Sequence, residues 1–456
     1  MIKDSFRKYL VEAIGSENAL VAFSAFEQPS SVSVRLNPFK KGCTLAGREV
    51  PWNPHGIFLE QRPVFTLDPL FHAGAYYVQD SSSMFVGYVF REMIKGRTAS
   101  KERPFRVLDL CAAPGGKTTD LAASLREHFG DNFLLVANEV MKARVGILAD
   151  NVALWGDPNV VVTCDDPKAF ASMPGYFDVI VTDVPCSGEG MFRKDEEAQK
   201  QWSEDNVALC EARQKRILAD VWPALSEGGV LIYSTCTFNR YENDGNVDWI
   251  ASELGADIMT DDFAGDFKGL IKTKNGYSLV PGHVEGEGQY CAALVKTSGL
   301  IFNGTYGSRG ESRSKVTAPT DALEGLMTVK MKFGLKGEVV VAVPEHLDAD
   351  VSTLRRNLHV VAAGCAVGVM KGKIFVPGAD LALSIVLDRN AFPMCEVDHK
   401  TALTYLHRDA ITLPDSEKGY VLVCHQGQPL GFVKNLGNRC NSLHPQSRRI
   451  RMNIDI

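Results

Sequence analysis

The chain has no Cys-x-x-Cys pair among its 11 cysteines. An odd thiol count without that spacing argues against a disulfide framework and against a structural zinc site, and it fits a reducing compartment. No segment approaches 18 consecutive apolar residues, so no membrane-spanning helix is expected. The opening Met-Ile-Lys-Asp-Ser-Phe-Arg-Lys lacks the apolar run of a signal peptide. No repeat of 20–50 residues is visible, which sets aside solenoids and propellers. Two nucleotide signatures are also missing. Gly116-Lys-Thr118 has Cys111 where a P-loop needs its first glycine, and no G-x-G-x-x-G occurs. Neither sign of charge dominates, with 49 basic and 55 acidic residues. The expectation is a cytoplasmic protein, monomeric by default, with no metal and no membrane association.

Mild acidity does not exclude a nucleic acid, because binding follows local charge. Residues 91–106 carry six basic and two acidic side chains, and the last 26 residues carry five basic and one acidic. Each stretch alone reads as a solvated face, whereas two in one acidic protein point to a polyanion partner.

At 456 residues the chain has room for about three domains. From 105 to 296, short apolar runs alternate with helical patterns, the signature of a parallel, doubly wound α/β sheet. The runs are 105–110, 133–139, 159–164, 177–183 and 229–235, with a further strand at 290–296. Helical patterns fall at 120–129 and 208–222. Residues 297–320, rich in Gly, Ser and Thr, read as a linker. Beyond them come a small middle domain at 321–385, with strand-like runs at 338–343, 359–370 and 373–378, and a last domain at 386–456 with two β runs around Gln426-Gly427. The first 104 residues form an N-terminal extension, with a strand at 31–37 and a helix to about Ile94 capped by Asp80.

Chemistry concentrates at strand ends, where an open α/β sheet delivers side chains to a ligand crevice. Cys186 and Cys236 each follow a strand in a tight polar turn, with Asp183 three residues before the first. Two thiols in such a crevice point to nucleophilic chemistry, but spacing alone does not rank them. After the first strand, Cys111-Ala112-Ala113-Pro114-Gly115-Gly116-Lys117 leads straight into a helix. Its small residues allow a ligand close to the backbone, and the helix start offers unpaired N–H groups. With both nucleotide signatures absent, the loop fits a nucleoside ligand such as S-adenosylmethionine. Glu139, at the end of the second strand, is placed to accept from ribose hydroxyls, and Asp166, after the third, to receive an adenine amino group. Isolated strand-end acids are more often helix caps or solvated turns. Three in order, with Asp183, favour a nucleoside site.

In sequence order, VLDLCAAPGGKTTDLA (107–122), NE (138–139), TDVPCSGEGMFRKD (182–195) and YSTCTFNRYEND (233–244) strongly resemble the RNA 5-methylcytosine methyltransferases of the Sun/RsmF type. Residues 419–452 resemble the C-terminal PUA-like RNA-binding module of the RsmF branch, which modifies small-subunit ribosomal RNA. The resemblance implies a Rossmann-like class I S-adenosylmethionine-dependent methyltransferase sheet. It also implies that Cys236 of Thr-Cys-Thr attacks carbon-6 of cytosine, that Cys186 of Pro-Cys helps release the product, and that Asp183 stabilises charge at ring nitrogen-3. Lys117 is the nearest candidate cation for thiol activation and for orienting Asp183. Arg35, Asn37, Gln79 and Asp80 match positions the family uses near the target. Lys434, Asn438, Arg439 and Arg449 in the tail suit phosphate contact. The segment Asn441-Ser-Leu-His-Pro445-Gln departs from the Asn-Tyr-Tyr-Pro-Lys common there, losing an aromatic pair and a lysine. Two rivals stay open: the same chemistry on tRNA, and a non-catalytic RNA-binding assembly factor. The intact set Lys117, Asp183, Cys186 and Cys236 argues against the second.

Overall fold

In the computed structural model, which describes residues 2–100, 103–259, 267–302, 323 and 325–454, the five central runs form parallel strands. They are Phe105–Asp109, Phe133–Asn138, Val160–Thr163, Phe177–Asp183 and Leu225–Thr235. Across the sheet the order is 225–235, 177–183, 105–109, 133–138, 160–163. Near-continuous apolar sequence is what strands covered on both faces require. Alternation along each strand splits its side chains between two cores. Val107, Leu135, Val179 and Ile232 enter one, and Leu108, Val136, Ile180 and Leu231 enter the other. The flanking helices include Gly116–Phe129, Lys142–Trp155 and Glu204–Val221.

The sheet is mixed rather than wholly parallel. Gln289–Lys296 runs antiparallel to 225–235. Between them lie the helix Asp244–Leu254, the short strand Ala256–Ile258 and the antiparallel pair Ile271–Lys272 and Tyr277–Leu279. The chain therefore re-enters from the opposite end, where a single crossover helix would have delivered it parallel. The run expected at 359–370 also divides. Val360–Ala363 joins the large sheet against 160–163, while Cys365–Lys371 pairs with Val339–Pro344 in a separate four-stranded sheet. The break is Gly364, with φ +69°, where a Cβ would lie 2.1 Å from the Ala342 carbonyl oxygen. Only glycine takes that turn without strain.

At the N-terminal end, Val32–Leu36 lies inside a four-stranded sheet, and Asp80 caps the helix Ser81–Ile94 by accepting from the Ser82 N–H. At the C-terminal end, Gly419–His425 and Gln428–Asn435 meet at a two-residue turn in which Gln426 (φ 49°) and Gly427 (φ 71°) are both left-handed, as a tight hairpin requires. Of the expected linker, residues 303–320 lie outside the described residues. Among the described residues, no helix is long and apolar enough to cross a membrane, and no group of three or more His, Cys, Asp and Glu residues could hold a metal ion.

The basic stretch 91–106 is corrected by the structure, because its described side chains are spent within the molecule. Arg91 donates to Asp120, Lys95 pairs with Glu92, and Arg97 donates to the carbonyls of Met93 and Gly228. Arg103 grips Asp178 with both guanidinium arms, and Arg106 pairs with buried Asp350 at 2.8 Å. Of these described basic side chains Lys95 alone is largely exposed, and its pairing with Glu92 offsets its charge.

Candidate active site

The loop 111–115 is held open by its neighbours. The Ala112 N–H donates to the Asn138 carbonyl, Arg144 Nη2 to the Ala113 carbonyl at 2.7 Å, and Asn151 Nδ2 to the Pro114 carbonyl at 2.8 Å. Gly115 is left-handed at φ +114° and carries the N-cap of the following helix without a side-chain cap. The first N–H groups of that helix are thus left for a ligand. Below the loop, Asp109 is fully buried. Its Oδ2 accepts from Thr118 at 2.6 Å while Oδ1 has no partner among the described residues. Burial pushes its pKa up to about 7. Glu139 is buried as well, accepting from the Met141 N–H at 2.8 Å and facing Arg144 at 3.5 Å.

The two strand ends 183 and 235 are neighbours in the sheet, so the turns after them meet. Cys186 Sγ and Cys236 Sγ lie 2.9 Å apart. The hydrogen bond to Cys236, then burial, pushes the Cys186 thiol well above the ordinary cysteine range. Lys117 leans across from the other side, with Nζ donating to Asp183 Oδ2 at 2.7 Å and to Ser83 Oγ at 2.8 Å. Asp183 Oδ1 accepts from Ser234 Oγ and Gln289 Nε2, both at 3.0 Å. Burial opposes the Asp183 charge, but the Lys117 ammonium and these donors outweigh it and hold the carboxyl below its usual range. Burial also opposes the charge on Lys117, and Asp183 and then Cys236 overcome it, raising the ammonium pKa. The site therefore combines a thiol pair with an ion pair one strand away.

Lys117, Asp183, Cys186 and Cys236 come together as their motifs imply. Asp166 is half exposed, accepting from the Lys168 N–H as a cap and facing Arg216 at 3.3 Å. Two expected RNA contacts are corrected. Arg35 is wholly buried, donating to Gln79 Oε1, the Gly116 carbonyl and Thr119 Oγ1, with its guanidinium over the Trp155 ring. Asn37 is buried too, donating to the carbonyls of Gly74 and Trp155. Their bonded polar atoms hold the N-terminal sheet to the catalytic sheet's helices, and Arg35 Nη1, without a hydrogen-bond partner among the described residues, is buried. Gln79 is likewise buried, and Asp80 is spent on its cap and on Lys194 at 3.2 Å. In the tail, Lys434, Asn438 and Arg439 are exposed, whereas Arg449 is partly buried with Nη2 at 3.3 Å from His407 Nε2. Sequence reasoning missed Ser83, Ser234 and Gln289. Only the fold identifies them: strand register sets Ser234 beside Asp183, the antiparallel strand starts at Gln289, and the helix Ser81–Ile94 carries Ser83 to Lys117.

Comparisons with known proteins identify the family. A family model described as 16S rRNA methyltransferase RsmB/F matches residues 99–295. One for the N-terminal domain of 16S rRNA methyltransferase RsmF matches 2–81, and one for the RsmF PUA domain matches 392–450. Ribosomal RNA small subunit methyltransferase F of Serratia proteamaculans (strain 568) is 30% identical over 93% of this chain and 91% of its own length. Its namesake in Salmonella agona (strain SL483) is 29% identical over 97% and 95%. Among solved structures, a methyltransferase homologue from Pyrococcus horikoshii superposes with a TM-score of 0.51 at 24% identity, over 65% of this chain and 100% of its own. NSun6 from Pyrococcus horikoshii with SFG gives a TM-score of 0.53 at 18% identity, over 65% and 98%. These structures share the methyltransferase fold, and the near full-length likeness to the two bacterial enzymes goes further: the chain belongs to the RsmF family of 16S rRNA methyltransferases.

Proposed function

We propose that this chain forms 5-methylcytosine in small-subunit ribosomal RNA, with S-adenosyl-L-methionine as methyl donor, Cys236 as nucleophile and Cys186 as the releasing thiol. The observation that carries the reading is the 2.9 Å thiol pair beside the Lys117–Asp183 ion pair. The names of the relatives support the choice of ribosomal RNA over tRNA.

The loop fits the donor. Its helix start leaves N–H groups unpaired, Asp109 Oδ1 is a buried acceptor without a partner among the described residues, and Glu139 directly follows the adjacent strand. Cys111 to Lys117 would line the amino-acid end, Glu139 the ribose hydroxyls and Asp166 the base amino group. When bound, S-adenosylmethionine supplies an electrophilic methyl group.

Carbon-5 of cytosine is a poor nucleophile. Addition of the Cys236 sulfur to carbon-6 moves the ring π electrons toward carbon-5 and nitrogen-3. The charge at nitrogen-3 is met through Asp183, which relays a proton from the Lys117 ammonium and returns it when the ring double bond re-forms. Carbon-5 then takes the methyl group and gives its proton to solvent water, one proton being released per methyl transferred. The C–H pair re-forms the ring double bond as the C–S pair returns to Cys236. Cys186, kept a thiol, donates a hydrogen bond to the departing sulfur. The target base must be unpaired or flipped out, and Lys434, Asn438 and Arg439 would hold flanking phosphates.

The test joins chemistry to substrate. Cys236→Ala should abolish methyl transfer and leave no covalent complex, and retained activity would overturn the assignment. Cys186→Ala should accumulate a covalent protein–RNA complex on a denaturing gel when cofactor is present. Bisulfite sequencing of total RNA with and without the protein should show the modified cytosine in small-subunit rRNA. A site found only in tRNA would sink the substrate reading.

A further inference from the structure

The two thiol loops are tied together by a buried exchange of carboxylates that the chemistry above does not use. Glu189, in the Cys186 loop, reaches into the other loop. Its Oε2 accepts the backbone N–H groups of Phe238 (2.7 Å) and Asn239 (3.0 Å), and its Oε1 accepts from Trp202 Nε1 and Asn239 Nδ2, both at 2.9 Å. Glu242, in the Cys236 loop, reaches back. Its Oε2 accepts the Ser187 backbone N–H at 3.0 Å and Gln214 Nε2 at 2.8 Å, and its Oε1 accepts from Asn239 Nδ2 at 2.8 Å. Gln214 Nε2 also donates to the Pro185 carbonyl at 3.0 Å. Two direct links complete the set: Ser187 Oγ to Thr237 Oγ1 at 3.0 Å, and the Gly190 N–H to the Cys236 carbonyl at 2.8 Å. Glu189, Glu242, Asn239 and Gln214 are each 1% exposed or less.

Placing two carboxyl groups in this interior is costly, and among the described residues no Lys or Arg is hydrogen-bonded to either. Apolar side chains would fill the space more cheaply, but they would not fix the backbone of one loop against the other. The partner set also specifies the residue type. Every hydrogen-bond partner of the Glu189 and Glu242 carboxyl oxygens given above is a donor, and a carboxylate is the acidic side chain's acceptor-only form. A glutamine in either place must turn its NH2 toward an N–H.

From this exchange we infer that Glu189 and Glu242 are positioning residues, a reciprocal clasp that sets the separation of Cys186 and Cys236. The separate duties of attack and release rest on the reading given under Proposed function, but the separation itself does not. It can be measured without RNA or cofactor. Diamide, a diazene, accepts two electrons and two protons from a close thiol pair, becoming the hydrazine as the two sulfurs join. A disulfide needs Cβ atoms about 3.5–4.5 Å apart, so the rate reports how closely the loops hold the pair.

The full-length protein, its Glu242→Gln variant and its Glu189→Gln variant are treated with diamide, and the Cys186–Cys236 disulfide is followed by peptide mass. The native protein should cross-link at least ten times faster than Glu242→Gln, with S-adenosylmethionine binding retained by the variant. Cross-linking at the native rate in the variants would overturn the clasp. Should Glu242→Gln fail to fold, Glu189→Gln carries the same expectation from the opposite loop. With RNA and cofactor added, a loosened clasp should also trap a covalent protein–RNA complex although both cysteines are present. If cross-linking slows and no complex forms, the clasp stands and the assigned release role fails.

Discussion

Asp109 shows how one side chain couples the loop to pH. It lies beneath the loop, fully buried, with one oxygen satisfied by Thr118 and the other without a partner among the described residues. Burial pushes its pKa up to about 7, whereas Lys117 and the Thr118 hydroxyl resist. The folded state therefore holds a proton that an unfolded aspartate, with a pKa near 3.9, releases earlier. The sign follows from linkage: this contribution to stability is fully present below about pH 4 and lost as pH rises through about 7. Its steepest slope is about 1.4 kcal/mol per pH unit. Asp109→Asn keeps an oxygen for Thr118 and does not titrate, so it should flatten this part of a stability-versus-pH curve measured by urea unfolding between pH 4 and 8. An unchanged slope would mean that Asp109 stays ionised in the folded protein. Asp183 behaves oppositely because the Lys117 ammonium outweighs its burial. Its contribution is present above the ordinary carboxylate pKa and lost as pH falls through the lowered value.

At the scale of elements, the site is the meeting of two turns, and Gly190 is where they touch. A Cβ there would lie 3.0 Å from the Cys236 carbonyl oxygen and 3.1 Å from that of Gly288. Gly190→Ala should therefore push the Cys236 turn outward, costing roughly 1–3 kcal/mol through overpacking. It should lower kcat more than the KM for RNA, since the glycine lies behind the thiols; a variant with native kcat and an unchanged melting point would count against this. The strands leading into the turns were legible from sequence because buried parallel strands must be apolar along their length, as 133–138 is. The Cys186 and Cys236 turns were legible because Pro185 and then Ser187-Gly188 break the first apolar run, and Cys236-Thr237 the second. Glu189 and Glu242 were not, since in one dimension a glutamate in a polar turn looks solvated, and only the register of 177–183 against 225–235 buries them. The strand at 290–296 was legible too, but its antiparallel direction was not, as apolar content does not encode direction. Arg35 and Asn37 were misread because an arginine in a short strand resembles an edge residue until a second sheet's helices cover it.

For the whole molecule, that misreading separates two kinds of basic residue, one that assembles the protein and one offered outward. Asn37 and Lys40 meet the last carbonyls of the helix Lys142–Trp155, with Lys40 Nζ donating to Leu154 and Ala73 at 2.6 Å each. Side-chain donors suit a helix C-terminus, whose last carbonyls lack partners within the helix. Arg35 bonds the start of the helix that follows the 111–115 loop. These side chains bind the N-terminal part to the catalytic sheet at both helix ends. Lys434, placed over the Tyr420 ring, and Arg439 lie exposed in the C-terminal sheet instead. The two kinds should respond differently in RNA binding. A Lys434→Ala/Arg439→Ala double variant should melt like the native protein but bind RNA more weakly. The slope of log affinity against log salt should shrink by about 0.7–0.9 for each phosphate no longer neutralised. Arg35→Met should do the reverse, destabilising the fold by about 3 kcal/mol through the broken buried network while leaving the salt slope of its folded fraction unchanged. Titrating RNA at about 50–300 mM salt, the range over which counterion release is steep, alongside thermal unfolding distinguishes the two. A slope that falls in Arg35→Met would return that arginine to the RNA surface, and a slope unmoved in the double variant would remove the C-terminal sheet from it.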